Sequence, residues 1–371
     1  MDITSEPLSS ATPISQEHRF QFTGSGGEYF RIWIVNLLLT LITLGIYGAW
    51  AKVRRLRYFY GNTTLAGSSF EYHGEPVKIL KGRLIAAGLI VPYYLLQNTY
   101  PLWSLLFPAA FLIALPFIIV QSRRFQMRMT SWRNVRFGFD GTYGRAAKLY
   151  LGLGILIPLT LGILFPYVLF AKQRFIIGET RYGSSRFEFN AEPGRYYAAC
   201  FAAFGLFLLS LVGLFALVMP AAFLFSLITG NTEGILSRPE LLEEPAYLIA
   251  VMVVAIYMYA IFTAAFMVPA AVVNARTTNE AFNHTTIDGH QLQSDLATKK
   301  LMGIYLTNLL GIVFTLGLYA PWAKVRLVQY QLENTSLTTQ GSLDEFVATE
   351  TANISATGEE IGDFLDVDFG L

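Results

Sequence analysis

Apolar residues in this chain are massed in runs. Ala198–Thr229 and Ala246–Val273 contain no Asp, Glu, Lys or Arg, and uncharged runs of that length predict transmembrane helices. Further apolar segments lie near 29–50, 84–96, 102–120, 148–170 and 301–322. Leu84–Leu96 with Leu102–Val120, and Ala198–Thr229 with Ala246–Val273, read as full hairpins. Tyr29–Trp50, Lys148–Phe170 and Leu301–Trp322 are shorter units with Thr-Leu-Gly in mid-run, at 43–45, 160–162 and 315–317. A second pattern alternates: FQFTG at Phe20, FEYHG at Phe70, FGFDG at Phe137 and FEFN at Phe187. Period-two aromatic alternation predicts short strands.

The two patterns recur together. Asn36–Arg54 and Asn308–Arg326 match at 12 of 19 positions at an offset of 272. Thinner echoes end at Arg123, Arg174 and Arg276, and HTTIDG at 284–289 echoes NTTLAG at 62–67. The unit reads as strand, apolar segment, basic turn of helix, Asn-Thr turn, next strand. The expected fold class is an all-α polytopic membrane protein of about five internal repeats, with small cytoplasmic β elements. Its parts are a disordered N-terminal segment 1–17, a membrane domain 18–342 and an acidic C-terminal tail 343–371.

Composition agrees with a membrane location. Hydrophobic residues make up 53% of the 371 and charged residues only 14%, against about 25% charged in soluble domains. A soluble enzyme is excluded on that balance. Residues 343–371 hold eight acidic and no basic side chains, and without them the body carries a formal +9. That stretch reads as a solvated tail, or as a docking motif for a protein partner through Ile361, Phe364, Leu365 and Phe369. The first 17 residues lack the basic start of a signal peptide. Cys200 is the only cysteine, so an intramolecular disulfide is impossible.

Orientation follows from Lys and Arg near the membrane segments. Stretches 51–83 and 121–148 hold seven each and 171–197 holds five, whereas 97–101 has none and 230–245 has one. Basic loops and both termini are therefore expected in the cytoplasm. This creates a conflict: if each short segment crossed once, consecutive basic loops would fall on opposite sides. Re-entry of 29–50, 148–170 and 301–322 removes the conflict, with limbs turning at Thr-Leu-Gly. Ordinary single spans are the alternative.

Candidate chemistry is sparse. The membrane runs hold almost no ionisable group, which argues against a proton-coupled pump. Asn36 and Asn308, in matching positions, are candidate polar intramembrane residues, with a helix-to-helix hydrogen bond as the simpler role. Trp50, Lys52, Arg54, Arg123, Lys172, Arg174, Arg276, Trp322, Lys324 and Arg326 are candidate interfacial or headgroup-binding residues, since Trp and basic side chains gather at the membrane–water boundary. The four histidines lack metal-ligand spacing. No metal or other cofactor is expected, nor any catalytic group. Aromatics among the basic loops raise nucleic-acid contact, but their place between membrane runs makes topology the better explanation. The expected partners are membrane lipids with anionic headgroups.

TLGIYGAWAKVR and TLGLYAPWAKVR, with Asn62-Thr63 and Phe70–Gly74 after the first, resemble the YjgN-like family of bacterial multi-pass inner-membrane proteins. The resemblance covers roughly 18–342. It implies an inner-membrane location and no reaction, ligand or active residue. The functional expectation is a transport or channel-like protein for a small solute or lipid. Its alternative is a non-transporting membrane module that organises lipids or partner proteins through its basic loops.

Overall fold

The computed structural model describes residues 15–229 and 245–357. One extended N-terminal segment supplies β1 (Ser15–Arg19) and β2 (Gln21–Phe22). A helical hairpin, α1 (Gly26–Ile42) with α2 (Gly48–Gly61), leads into a strand pair, β3 (Thr63–Leu65) with β4 (Ser68–Tyr72). The same order follows with α3 (Pro76–Leu96), α4 (Pro101–Arg128), β5 (Thr130–Trp132) and β6 (Val135–Phe139). The third hairpin has a broken first limb: α5 (Tyr143–Ala147), a π-helical stretch Lys148–Leu153 and α6 (Gly154–Leu159). It continues with α7 (Phe165–Gly178), β7 (Thr180–Tyr182) and β8 (Ser185–Phe189). Next come α8 (Pro193–Thr229), α9 (Pro245–Asn283), β9 (Thr285–Ile287) and β10 (His290–Ser294). Last are α10 (Thr298–Phe314), α11 (Ala320–Glu333), β11 (Thr335–Gln340) and α12 (Leu343–Thr357).

The eleven strands form one antiparallel meander that is nearly a closed barrel. Closure falls to the N-terminal segment: β1 pairs with β11 and β2 with β3, with only Phe20 between them. The Phe20 N–H bonds the Thr335 carbonyl at 3.0 Å. Both sheet edges are thereby paired, which removes the hazard of open edges.

Register fixes where the helices stand. Phe22 pairs with Thr63, Tyr72 with Thr130, Phe139 with Thr180, Phe189 with Thr285 and Ser294 with Thr335. Each helical hairpin is thus inserted between two facing residues of adjacent strands. All five hairpins rise from one rim. Their neighbours pack in a circle, α2 on α3, α4 on α5, α7 on α8, α9 on α10 and α11 back on α1. The opposite rim carries tight turns, with paired positive φ at Ala66–Gly67, Arg133–Asn134 and Asp288–Gly289, as two-residue hairpins require.

This overturns the all-α expectation. The β elements are not small linkers but a shared platform, and among the described residues only three helices are long and apolar enough to cross a membrane: Pro76–Leu96, Leu105–Arg128 and part of α8, Pro193–Pro220. The physical reason is strand length. Strands of two to six residues carry almost no periodicity singly, and they are stable only because partners far apart in sequence complete the sheet.

The turn-bearing rim is closed by α12. Leu343 and Phe346 are buried among Leu65, Trp132, Val135, Tyr182, Ile287 and Leu337, and Phe346 stacks on Tyr182 at 5.8 Å. Glu350 is 2% exposed. Its carboxylate accepts from the backbone and hydroxyls of Ser184 and Ser185, and Arg133 pairs with Asp344. The first half of the stretch expected to be a solvated tail is therefore a helix, Leu343–Thr357, packed through Leu343, Phe346 and Glu350. The docking-motif residues Ile361, Phe364, Leu365 and Phe369 lie outside the described residues, as do 1–14 and the poorly basic loop 230–244.

Two outcomes follow from this closure. Glu350→Ala leaves four donors without their acceptor, a loss of about 1–3 kcal/mol, and hydrogen exchange over 343–357 should accelerate while the barrel strands stay protected. His290, buried against Phe346 at 4.8 Å, accepts the Gln340 N–H on Nδ1, and burial holds its pKa below the ordinary value, against a smaller opposing pull from Asp288. The unfolded chain then binds more protons, so stability should fall as pH drops below about 6.5, and a His290→Gln variant should lose that slope in thermal unfolding.

Candidate functional site

The second helix of each hairpin is anchored to the barrel by one recurring joint. Thr63, Thr130, Thr180, Thr285 and Thr335 each open a strand, and each hydroxyl donates to the carbonyl four residues back, at 2.6–2.9 Å. The residue before each Thr accepts a backbone N–H from the end of the preceding strand: Thr23 to Asn62, His73 to Met129, Asp140 to Glu179, Asn190 to His284 and Asp295 to Asn334. A Thr that satisfies its own helix terminus suits a helix-to-strand junction. The joints hold α2, α4, α7, α9 and α11 with their C-terminal turns on the rim.

Between those turns and the barrel lies an apolar chamber of about 520 Å³. Phe59 and Tyr60 of α2, Thr278 and Phe282 of α9, and Val328, Gln331 and Leu332 of α11 form its walls. Phe20 and Phe70 form its floor, stacked at 6.1 Å, with Phe137 continuing the row at 6.3 Å from Phe70. These are the leading aromatics of three alternating motifs. Polar lining is limited to hydroxyls and an amide, including Thr63, Thr335 and Gln331. Its volume falls in the usual range for ligand sites, and its lining is of the usual kind.

Above the chamber the same helix faces turn basic. Lys52 precedes Phe59 and Tyr60 by seven and eight residues, Arg55 precedes Phe59 by four, and Lys324 precedes Val328 by four. Such spacings share a helix face. Burial lowers the pKa of Lys52, helped by Arg83 of α3 and then Arg55. Burial and then Arg55 do the same to Lys324. Among the described residues no carboxylate lies within ion-pair reach of these four cations. Glu28 of α1 is engaged by the Tyr58 hydroxyl at 3.2 Å.

The residues expected from sequence separate into three groups. Lys52 and Lys324 both lie within electrostatic reach of Arg55, and Lys52 also of Arg83, two arginines that sequence reasoning did not single out. Their signal was available in the spacing of Lys52, Arg55 and Phe59. Arg326 instead faces a cleft between α10 and α11, donating to Thr307 at 2.7 Å. Arg174 lines a separate cavity of about 670 Å³ beside Lys148. Arg54, Arg276 and Lys172 are exposed and Arg123 is half-buried. Trp322 stacks on Phe30 at 4.7 Å, and Trp50 on Tyr47 at 6.2 Å. Asn308 is buried and ties α10 to α11 through the Ala323 carbonyl at 3.1 Å. Asn36 is buried too, with its carbonyl oxygen unpaired. Neither lines the chamber.

The structure joins a nearly closed barrel to a crown of hairpins on one rim, three of whose helices are, among the described residues, long and apolar enough to cross a membrane. The chain belongs to the family described as "Bacterial protein of unknown function (DUF898)", whose model matches residues 17–364. Inner membrane protein YjgN of Salmonella typhimurium is 35% identical over 144 residues, 38% of this chain and 36% of that protein. YjgN of Escherichia coli O157:H7 and of strain K12 are each 35% identical over 129 residues, 33% of this chain and 31% of theirs. Each match therefore spans about a third of the relative's length. No solved structure matches.

Lys52 and Lys324 carry charges that folding disfavours. The unfolded chain binds their protons more tightly, so their contribution to stability is least favourable at neutral pH and improves as pH rises toward the unfolded lysine value near 10.4. Lys52→Met should raise the unfolding temperature by on the order of 2 °C, measured in detergent at pH 7, and that gain should shrink at pH 10.

Proposed function

We propose that this is an inner-membrane protein that takes a small apolar-tailed molecule from the bilayer into its axial chamber. The carrying observation is the placement of that chamber, an apolar space between the helical crown and the barrel floor.

The crown fits a bilayer from one side. α1 and α10 have 17 residues, α2 and α11 have 14, so these limbs reach about 21–25 Å at 1.5 Å per residue, short of the roughly 30 Å hydrocarbon core. Their tips are Thr-Leu-Gly turns. Leu44, Leu161 and Leu316 sit at φ 49°, 52° and 50° and are 93%, 92% and 92% exposed. A leucine in the left-handed region is strained by roughly 1–2 kcal/mol, and an exposed one in water gains nothing in return. Lipid around the tip supplies the missing burial. The short hairpins then enter the membrane and return, the long ones cross it, and the basic stretches 51–83, 121–148 and 171–197 lie between the hairpin tips and the barrel. The positive-inside rule puts that barrel in the cytoplasm. Five hairpin-plus-strand-pair units, with the N-terminal segment completing the fifth pair, support descent from one repeated element.

The non-transporting alternative is favoured by one feature, the α12 stopper, which closes the axis at the cytoplasmic end. On this reading, exchange with the bilayer and not passage through the barrel is the expected event.

In a Cys200→Ser background, Gly67→Cys at the barrel turn should react with an impermeant maleimide only after spheroplast lysis, and Leu44→Cys should be quenched by lipid-borne nitroxide. Reaction of Gly67→Cys from outside would overturn the orientation. Native mass spectrometry of the purified protein should find a bound lipid that Val328→Trp or Thr278→Phe removes while circular dichroism is unchanged. Equal lipid on wild type and both filled variants would sink the chamber reading.

A further inference from the structure

On the reading that the chamber is the binding site, we propose that Lys52, Arg55, Arg83 and Lys324 form a phosphate-headgroup site at its mouth, so that the ligand is a single-chain anionic amphiphile. Three of these side chains lie on the helix faces that line the chamber, one to two turns further from the barrel. The Lys52 level stands about 11 Å above the Phe59 level along α2. Arg83 reaches them from α3, filling the space beside Gly48 where a Cβ would meet its guanidinium. A side chain at Gly48 would displace it.

Charge arrangement identifies the ligand class. Arg55 lies within electrostatic reach of both Lys52 and Lys324, and Arg83 within reach of Lys52; Lys52 is half-buried, the other three are exposed, and with no carboxylate beside them among the described residues they repel one another. The nearby glutamate, Glu28, is turned away to Tyr58 and Ser25. A phosphoryl group has several acceptor oxygens, and guanidinium and ammonium groups make their strongest hydrogen bonds to such oxygens. The chamber beneath offers a phosphate nothing, being lined by Phe59, Phe282, Val328 and Leu332. It offers an alkyl chain about 520 Å³. Head and tail are therefore both required, with the tail drawn from the bilayer toward the barrel.

The test uses the full chain in phosphatidylcholine nanodiscs and isothermal titration with dodecyl phosphate, dodecanol and inorganic phosphate. Dodecyl phosphate should bind most tightly, with affinity falling as salt rises. The Lys52→Gln/Lys324→Gln double variant should lose roughly tenfold or more for dodecyl phosphate and keep its dodecanol affinity, while Lys52→Arg/Lys324→Arg should retain both. Val328→Trp should lose both dodecyl compounds. Dodecyl phosphate no tighter than dodecanol, or unaffected by the glutamine variant, would overturn the headgroup site and leave the chamber standing. Neither dodecyl compound sensitive to Val328→Trp would remove the chamber itself. Inorganic phosphate binding as tightly as dodecyl phosphate would also overturn the proposal, because the tail would then contribute nothing.

Discussion

The joint between helix and strand is the constraint on which everything else rests. At each of five places a Thr hydroxyl satisfies the last turn of a helix, and the preceding carbonyl takes a backbone N–H from the strand before the hairpin. Each such bond is worth only about 0.5–1.5 kcal/mol net. Together they do what no single strand of two to six residues can, because they fix where each helical hairpin leaves the sheet and where it returns. With those points facing across adjacent strands, the meander closes, and the second helices stand with their C-terminal turns over the barrel floor. The chamber is a geometric consequence of that closure.

Closure also explains the unusual tips. A helix that must return to the rim from which it left needs a tight reversal, and the Gly45, Gly162 and Gly317 N–H groups each bond a carbonyl five residues back, at 2.7–2.8 Å. Thr43, Thr160 and Thr315 hydroxyls then accept the N–H of the residue that opens the return limb. Glycine at φ 85–93° is without cost there, but the leucine before it is not. The strain is local and repeated, and each time it leaves an apolar side chain exposed.

What was legible in the sequence was whatever carries local periodicity. The apolar runs, the Thr-Leu-Gly reversals and the alternating FQF, FEY, FGF and FEF segments all mark real elements. The barrel was not legible, because pairing Phe22 with Thr63 or Phe189 with Thr285 spans helices that carry no trace of it. α12 was hidden for another reason: its acidic composition reads as solvated until Ser184 and Ser185 are seen around Glu350. At the candidate site, matching motifs located Lys52 and Lys324 by repetition, whereas Arg83 enters from another hairpin and no spacing along the chain relates it to them. The alignment by arginines also slipped. Counted back from the strand-opening threonines, Arg54, Arg276 and Arg326 share a register nine residues before Thr63, Thr285 and Thr335, and Arg123 and Arg174 do not.

The axis therefore has three zones whose chemistry is set by different parts of the chain: exposed leucines at the tips, cations without a carboxylate one turn below, and aromatics over a stoppered barrel. A water-filled conduit would need polar lining through all three, and the middle of this axis is an aromatic floor closed from beneath by Leu343 and Phe346. At the other rim Arg133 has a carboxylate, Asp344, beside it, whereas Lys52, Arg55, Arg83 and Lys324 have none among the described residues. An apolar chamber stoppered on the α12 side, with cations one to two turns above it, is the arrangement that the proposed receptacle requires, its loading and emptying then falling to the same side.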